Sequence, residues 1–593
     1  MRSKKYSGRN LTGKNFSGQH LKNADFTAAN LTNADFNGAN LAGANLSNAN
    51  LSDASFRGTN LRNATLKNVN LTNAAFRRAN LTEADLSYAH CSSPKETQAA
   101  SGIHKFTADF GGARLFKACL QRAQLAGASL RETNLSKADL SASNLNDADL
   151  SGSNTSEACF ARATLAGAKL TRVDMTGATL TPEVYLQRAD CKNSVFHKVD
   201  LRGAQLQKAD FKGTDMTCAN ISESYLRQAN FQDADFSCSN LSNSDLCSAN
   251  LRGARFRLAS LQSAQLNRAN LDGAYLTRAN LSFADLRQAS LRRTQLRSAN
   301  LTEANLEKAR LNNALLDRAN LTKANLNGAS LSGAQIVGAH LNDANLSGAN
   351  LIQANMAMST LCRASFKDAY LSNANFNGAN LNGACLDGVR ANGVRMAAAD
   401  LKAASLEGAS LIRAELRDAY LTDATLNGAR LNRAYLVSCC LERAQMTQAD
   451  LAGAYMLHTR LNHANLEDAT LIRTYLSWAA LENVNLKRAD LSGANLTNVD
   501  IASIADVTDA YFASNQGLNS ETERLLQDRG AALIANKQDD STSAWGRAVE
   551  TQRRQEEVRI DFVYRYLDLD SSWLTMQAAI ERVESCLQEV IDL

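Results

Sequence analysis

The chain has 593 residues, a formal net charge of +5, 45% hydrophobic residues, 6% aromatics and only two prolines. No apolar run approaches the roughly 20 residues of a membrane span. The basic amino terminus, MRSKKYSGRNLTGKNF, lacks the apolar core of a Sec signal peptide, although leaderless export would leave no such mark. A length that ordinarily means several globular domains is overruled here by internal repetition.

The repeat is cleanest between Asn30 and Leu51, where Leu31, Phe36, Leu41, Leu46 and Leu51 stand five apart and an Ala precedes each by two. The unit is Ala-Asp/Asn-Leu/Phe-x-x. A period of five fits neither a helix nor a flat strand. Residues two apart on extended backbone share a face, so Ala and Leu point inward and the Asn/Asp between them points to water. The last two residues must turn the chain, and Gly, Asn, Asp and Ser are frequent there. The expected object is a coil of short sides and corners, with Leu/Phe on the axis, Ala at the walls and backbone hydrogen bonds between coils about 4.8 Å apart.

In chain order, Arg9, Lys14 and Gln19 occupy Ala positions, so the first coil reads as a frayed cap, since buried unpaired charge is costly. The pattern is clean from Ala24 to Leu86, breaks after Cys91 with SSPKETQAASGIHKFT, and resumes at Ala108-Asp109-Phe110 displaced by one position. A second break, TPEVYL, follows Leu180 and restores the original phase. Pro94 and Pro182 fall in these two breaks, as expected where proline cannot donate to a ladder. The first break reads as a protruding loop and the second as a corner insertion. From Leu201 to Ile501 the phase does not slip; the small inward position accepts Thr214, Ser224, Val394 and Cys439, and Ala391 replaces a Leu.

The repeat stops near Tyr511. Beyond it, Ser520-Glu521-Thr522-Glu523 reads as a capping box for a short helix through Leu525 and Leu526, stopped by Gly530. A second helical stretch is expected over about 544–567. Trp573, Met576, Ile580, Val583, Leu587 and Val590 then form an amphipathic stripe, expected to cap the open end of the coil stack or to make a homodimer.

The units ADFNG, ANLAG and ANLSN resemble the pentapeptide repeat family. The resemblance covers about five-sixths of the chain and implies an all-β solenoid, a right-handed quadrilateral β-helix with four units per coil. On the order of 25 coils would make a rod of about 120 Å. The expected organisation is a degenerate cap coil over 1–23, the β-helix over 24–511 with interruptions at about 92–107 and 181–185, and a small α-helical region over 512–593.

Function is less legible. No P-loop, GxGxxG or HExxH motif is present, the seven histidines are scattered, and no cofactor or metal site is expected. The twelve cysteines show neither metal nor disulfide spacing. Cys191 and Cys439 read as core residues, Cys119 and Cys159 fall at Asn/Asp positions, and Cys218 and Cys238 fall at corners. A reducing, cytoplasmic location is expected, with leaderless export into a host cell as the alternative. Residues 512–593 carry a charge of about −6 and the repeat about +11. Within the repeat, 252–323 carries roughly +8, including Arg252, Arg255, Arg257, Arg268, Arg278, Arg292, Arg293, Arg297 and Arg318. This belt is a candidate site for an acidic partner, nucleic acid or an anionic membrane. The spacing of five does not say whether its arginines share one face.

The leading expectation is a non-enzymatic scaffold that binds other proteins. The family resemblance also implies bacterial effectors and DNA-mimicking inhibitors of type II topoisomerases, but the latter are acidic and this repeat is basic. Effectors in which such a β-helix precedes a HECT-like ubiquitin ligase need a nucleophilic Cys in a large two-lobed region. Here Cys586 is the only cysteine in a tail of about 80 residues and lies in the apolar helix pattern.

Overall fold

The computed structural model describes residues 4–91, 107–181 and 183–534. The chain divides into two units, Met1–Leu533 and Ile534–Leu593. The second unit beyond Ile534, with the helix expected over 544–567, Cys586 and the stripe from Trp573 to Val590, lies outside the described residues.

The Asn/Asp position of each unit forms a parallel bridge with the residue 20 places on, beginning with Lys5 and Asp25. Four units therefore close one coil, a number that the five-residue spacing leaves open. We number the sides by their first bridges: side 1 from Lys5–Asp25, side 2 from Asn10–Asn30, side 3 from Asn15–Asp35 and side 4 from His20–Asn40. Each edge takes the numbers of the two sides that it joins.

The unit Asn30–Ala34 shows why this sequence stays coiled. Leu31 N–H donates to Asn50 O at 2.8 Å and Asn33 N–H to Ser52 O at 2.9 Å, both in the next coil, while Asn30 N–H donates back to Arg9 O at 2.9 Å. Ala34 N–H closes the corner on Leu31 O at 3.0 Å. One amide of the five, that of Thr32, finds no backbone acceptor, and Asn30 Oδ1 takes it at 3.2 Å. The Asn/Asp of the motif is thus more than a hydrated surface residue: it accepts from the corner amide two residues on, as Asx turns do.

At several positions that lack Asn or Asp, another coil supplies the acceptor. Ser55, Thr164, Ser290, Gln335, Thr360 and Arg395 stand at that position, and the corner amides that follow are bonded instead by Asn37, Asn146, Asp272, Asp317, Asn342 and Asn377 of the preceding coil, at 2.9–3.2 Å. Each replacement acceptor lies 18 residues before the missing one.

Inside, Leu and Ala of successive coils form one continuous core. Phe16, Phe36, Phe56, Phe76 and Phe110 stack along one inner corner with centroids 4.6–5.0 Å apart. Hydroxyls at Ala positions mostly bond to backbone carbonyls inside, as Ser224 Oγ donates to Leu201 O at 2.7 Å and Thr214 Oγ1 to Cys191 O at 2.9 Å, whereas Ser153 Oγ is buried without a partner among the described residues.

Three insertions interrupt the period without breaking the ladder. Ala75 pairs with Asp109 rather than with residue 95, so the 14 extra residues leave and rejoin at edge 2–3. Thr164 pairs with Tyr185, one residue late, at edge 1–2. A third, not anticipated from sequence, is a 3-10 turn at Ile501–Ser503, after which Asn485 pairs with Asp506, also at edge 1–2. None touches side 4 or its two edges, whose pairing runs unbroken from His20 to Gln516.

The ends correct two expectations. The first coil is not frayed: Asn10, Asn15 and His20 are paired, and Arg9, Lys14 and Gln19 are exposed because no coil stacks beneath them. At the other end, β1 (Tyr511–Ala513) pairs with β2 (Ala532–Ile534), with α1 (Ser520–Asp528) between them. The capping residue of α1 is Asn519 rather than Ser520: its Oδ1 accepts from Thr522 N–H at 2.9 Å, and Thr522 Oγ1 faces Asn519 N–H at 2.9 Å. Leu526 of α1 is fully buried in the core, and Arg529 donates to the carbonyls of Ile504 and Ala505. Gly530 follows at φ +87°, as a helix stop requires.

Two stability predictions follow from these contacts. Leu301 is fully buried, so Leu301→Asp, which buries a charge in place of a leucine, should cost at least about 3 kcal/mol. Ser347 loses only a 2.9 Å bond to Ser365 Oγ, so Ser347→Lys should cost about 1 kcal/mol or less; equal shifts in thermal midpoint would refute the inward and outward assignment. Second, the Thr27 hydroxyl and amide hold the Asp25 carboxyl below its ordinary range, and the Arg287 guanidinium does the same for Asp285. A lowered folded pKa gives stability that is present above the ordinary carboxylate pKa of about 4 and is lost as pH falls through the lowered value. The midpoint should therefore drop as the pH is taken below about 4; a flat profile there would contradict it.

Candidate functional site

The ladder stacks outward side chains as regularly as inward ones, so a residue's place in the 20-residue coil decides which surface it joins. Charge is unevenly sorted. Edge 3–4 carries thirteen Lys/Arg against three Asp/Glu, and edge 4–1 ten against four. Side 4 between them is nearly neutral, with three against four. The strip as a whole is about +15 by this count. The opposite strip, side 2 with edges 1–2 and 2–3, has seventeen basic against nineteen acidic residues.

The arginines expected from the sequence largely converge on this strip. Arg252, Arg292 and Arg293 lie on edge 3–4, Arg255 on side 4, and Arg257, Arg278, Arg297 and Arg318 on edge 4–1; Arg268 alone falls elsewhere, on edge 2–3. All nine are exposed. Arg278, Arg293 and Arg318 occupy the left-handed corner position, with φ of +58°, +54° and +57°. Arg297 pairs with Asp317 at 3.2 Å and Arg255 with Asp235 at 3.9 Å. Arg252, Arg257, Arg278, Arg292, Arg293 and Arg318 form no ion pair among the described residues, so their charge is available to a ligand.

Other members of the strip lie far from the belt in sequence. Arg57, Arg77 and Arg78 extend edge 3–4 toward the amino terminus, and Arg413, Arg433 and Arg473 extend it toward the other end. A search for runs of charge passes over them; recurrence at multiples of 20 from Arg293 (Arg413, Arg433, Arg473) is the signal that finds them. The same recurrence marks Tyr435, Tyr455 and Tyr475 on side 4, whose rings stack at 4.9 and 4.8 Å. Beside them on edge 4–1, Trp478 is 59% exposed and stacks on His458 at 6.2 Å.

Guanidinium rows of this kind recognise phosphate or carboxylate groups. Two of the thiols are held protonated and so are poor nucleophiles: burial pushes Cys91 up to about 12, and burial together with Asp245 pushes Cys247 up to about 11. Among the described residues no three His, Cys, Asp or Glu side chains gather as a metal site would require, and no helix is long and apolar enough to cross a membrane.

Comparison with known proteins agrees with the coil geometry. A model described as pentapeptide repeat region matches residues 9–87. A second, pentapeptide repeats (8 copies), matches 108–147, 143–181, 183–217, 214–253, 254–293, 294–333, 329–368, 359–396, 399–436, 439–477 and 474–503. Among solved structures, HetL, a pentapeptide repeat protein involved in heterocyst differentiation regulation from the cyanobacterium Nostoc sp. strain PCC 7120, is 31% identical over 33% of this chain and 90% of its own, with a TM-score of 0.28. QnrB1, a plasmid-mediated fluoroquinolone resistance protein, is 21% identical over 36% of this chain and 95% of its own, with a TM-score of 0.22. No curated protein matches the chain.

Proposed function

This chain belongs to the pentapeptide repeat family, and from that premise we propose that it is a non-enzymatic docking scaffold that presents side 4 and its two edges to an acidic macromolecule. The observation that carries this reading is the pair of cationic edges flanking a side that no insertion interrupts. A stack held by backbone bonds at every corner is rigid enough to keep such groups in fixed rows. Rigid solenoids commonly work by offering long surfaces of this kind. The reading also favours fast, salt-sensitive association, because a one-sided field steers an oppositely charged partner.

The test is retention of the full chain on a sulfated polysaccharide matrix. Arg292→Glu with Arg293→Glu should elute at distinctly lower salt than the wild type. Arg188→Glu with Lys208→Glu makes the same charge change on edge 2–3, at exposed positions that form no ion pair among the described residues, and should elute close to the wild type. Equal losses in both variants would show that net charge, and not this strip, does the binding.

A further inference from the structure

Resting on that reading, we propose that the partner of side 4 is a nucleic acid duplex lying lengthwise along it, the phosphates flanking its minor groove meeting edges 3–4 and 4–1 once per helical turn.

The cations form two rows and not a patch. The edges hold twenty-three Lys/Arg against seven Asp/Glu, while the centre of side 4 is close to neutral and holds Tyr275, Gln295 and Leu315 within the arginine belt. Where the minor groove of a duplex faces side 4, once per helical turn, the phosphates on its two banks meet the two positive rows. One side of a coil spans about three extended residues, or roughly 10 Å, and arginine side chains at both edges can reach outward from there to phosphates on either side of a minor groove.

Length points the same way. Lys22 opens edge 4–1 and Arg473 lies near the far end of edge 3–4, more than twenty coils on. At about 4.8 Å per coil the rows span over roughly 100 Å, interrupted between Arg318 and Arg413, where neither edge carries a Lys or Arg. A globular acidic protein with a standard interface of about 800 Å² per partner would use only a fraction of them. A duplex is straight over this distance, since its persistence length is about 150 base pairs, and side 4 offers it an unbroken bed: all three insertions leave from edges 1–2 and 2–3. A single strand fits less well. Single strands gain affinity by stacking bases on free aromatic faces, whereas Tyr435, Tyr455 and Tyr475 are stacked on one another and Tyr275 is the one other aromatic of side 4 among the described residues.

The experiment measures binding of the full chain to 10-, 20- and 30-base-pair DNA duplexes of mixed sequence, to a 30-nucleotide single strand, to polyglutamate and to anionic phosphatidylserine vesicles, across a salt series. Affinity should rise with duplex length and exceed that for the single strand at least tenfold at equal salt. Arg292→Glu with Arg293→Glu should weaken duplex binding at least tenfold and reduce the slope of log K against log salt by about two, while Arg188→Glu with Lys208→Glu changes affinity less than twofold. Tighter binding of polyglutamate, of the single strand or of vesicles than of the duplex would overturn the duplex assignment and leave the docking face standing. Retention of none of these probes would sink both, and loss of duplex binding in both variants alike would sink the placement on side 4.

Discussion

The structure depends on the backbone ladder between coils, and many corners complete it with one further hydrogen bond, from the corner amide to the side-chain oxygen of an Asn or Asp. Four of the five N–H groups in a unit such as Asn30–Ala34 are used by backbone carbonyls, three between coils and one across the corner. The fifth would point into a closed corner without a partner, and an unmet donor costs about as much as several ordinary hydrogen bonds contribute. An Asx oxygen removes that cost at many corners, where the coil turns by a right angle without losing its ladder. Where Ser290 or Arg395 replaces Asx, Asp272 or Asn377 of the coil beneath reaches up to the same amide.

A ladder in which every coil repeats the one before it also fixes the outer surface. Side chains 20 residues apart lie one above another, so each column along the stack behaves as a unit. Asn columns bond to themselves, as Asn70 does to Asn50 at 3.1 Å. Oppositely charged corners pair vertically, as Arg363 does with Asp343 at 2.7 Å, and aromatic columns stack. Like charges in one column cannot relieve each other in this way. Rows of arginine along edges 3–4 and 4–1 therefore raise the local field and lower stability slightly, an arrangement that makes physical sense when something anionic neutralises them.

Insertions show how local the energetics are. Fourteen extra residues at edge 2–3 leave the Phe76–Phe110 stack at 5.0 Å, in line with the stacks before it. In a solenoid each coil contacts only its neighbours, so an outward excursion at one corner disturbs nothing farther away. The freedom to insert exists at every corner, yet side 4 and its edges have none. A flat docking face would be spoiled by a protruding loop; the other three sides tolerate one.

By itself the sequence determined the inside of the molecule. Spacing by fives assigns Leu301 to the core and Ser347 to the surface, places Pro94 and Pro182 in breaks, and finds the helix through Leu525 and Leu526, because inward packing and turn chemistry act within a few neighbouring residues. It missed the turn at Ile501–Ser503, where one extra residue hides in a segment whose apolar residues keep a near-regular rhythm. It also placed the cap of α1 at Ser520, since Ser and Asn compete equally well for that position. Only the tertiary structure decided which residues share a surface. Five-residue spacing says that Arg252, Arg293 and Arg318 point outward; the number of sides says toward what. With four units to a coil, charges 20 residues apart add into rows and charges five apart fall on different sides, so the closure of the coil converts a scattered basic composition into one charged face.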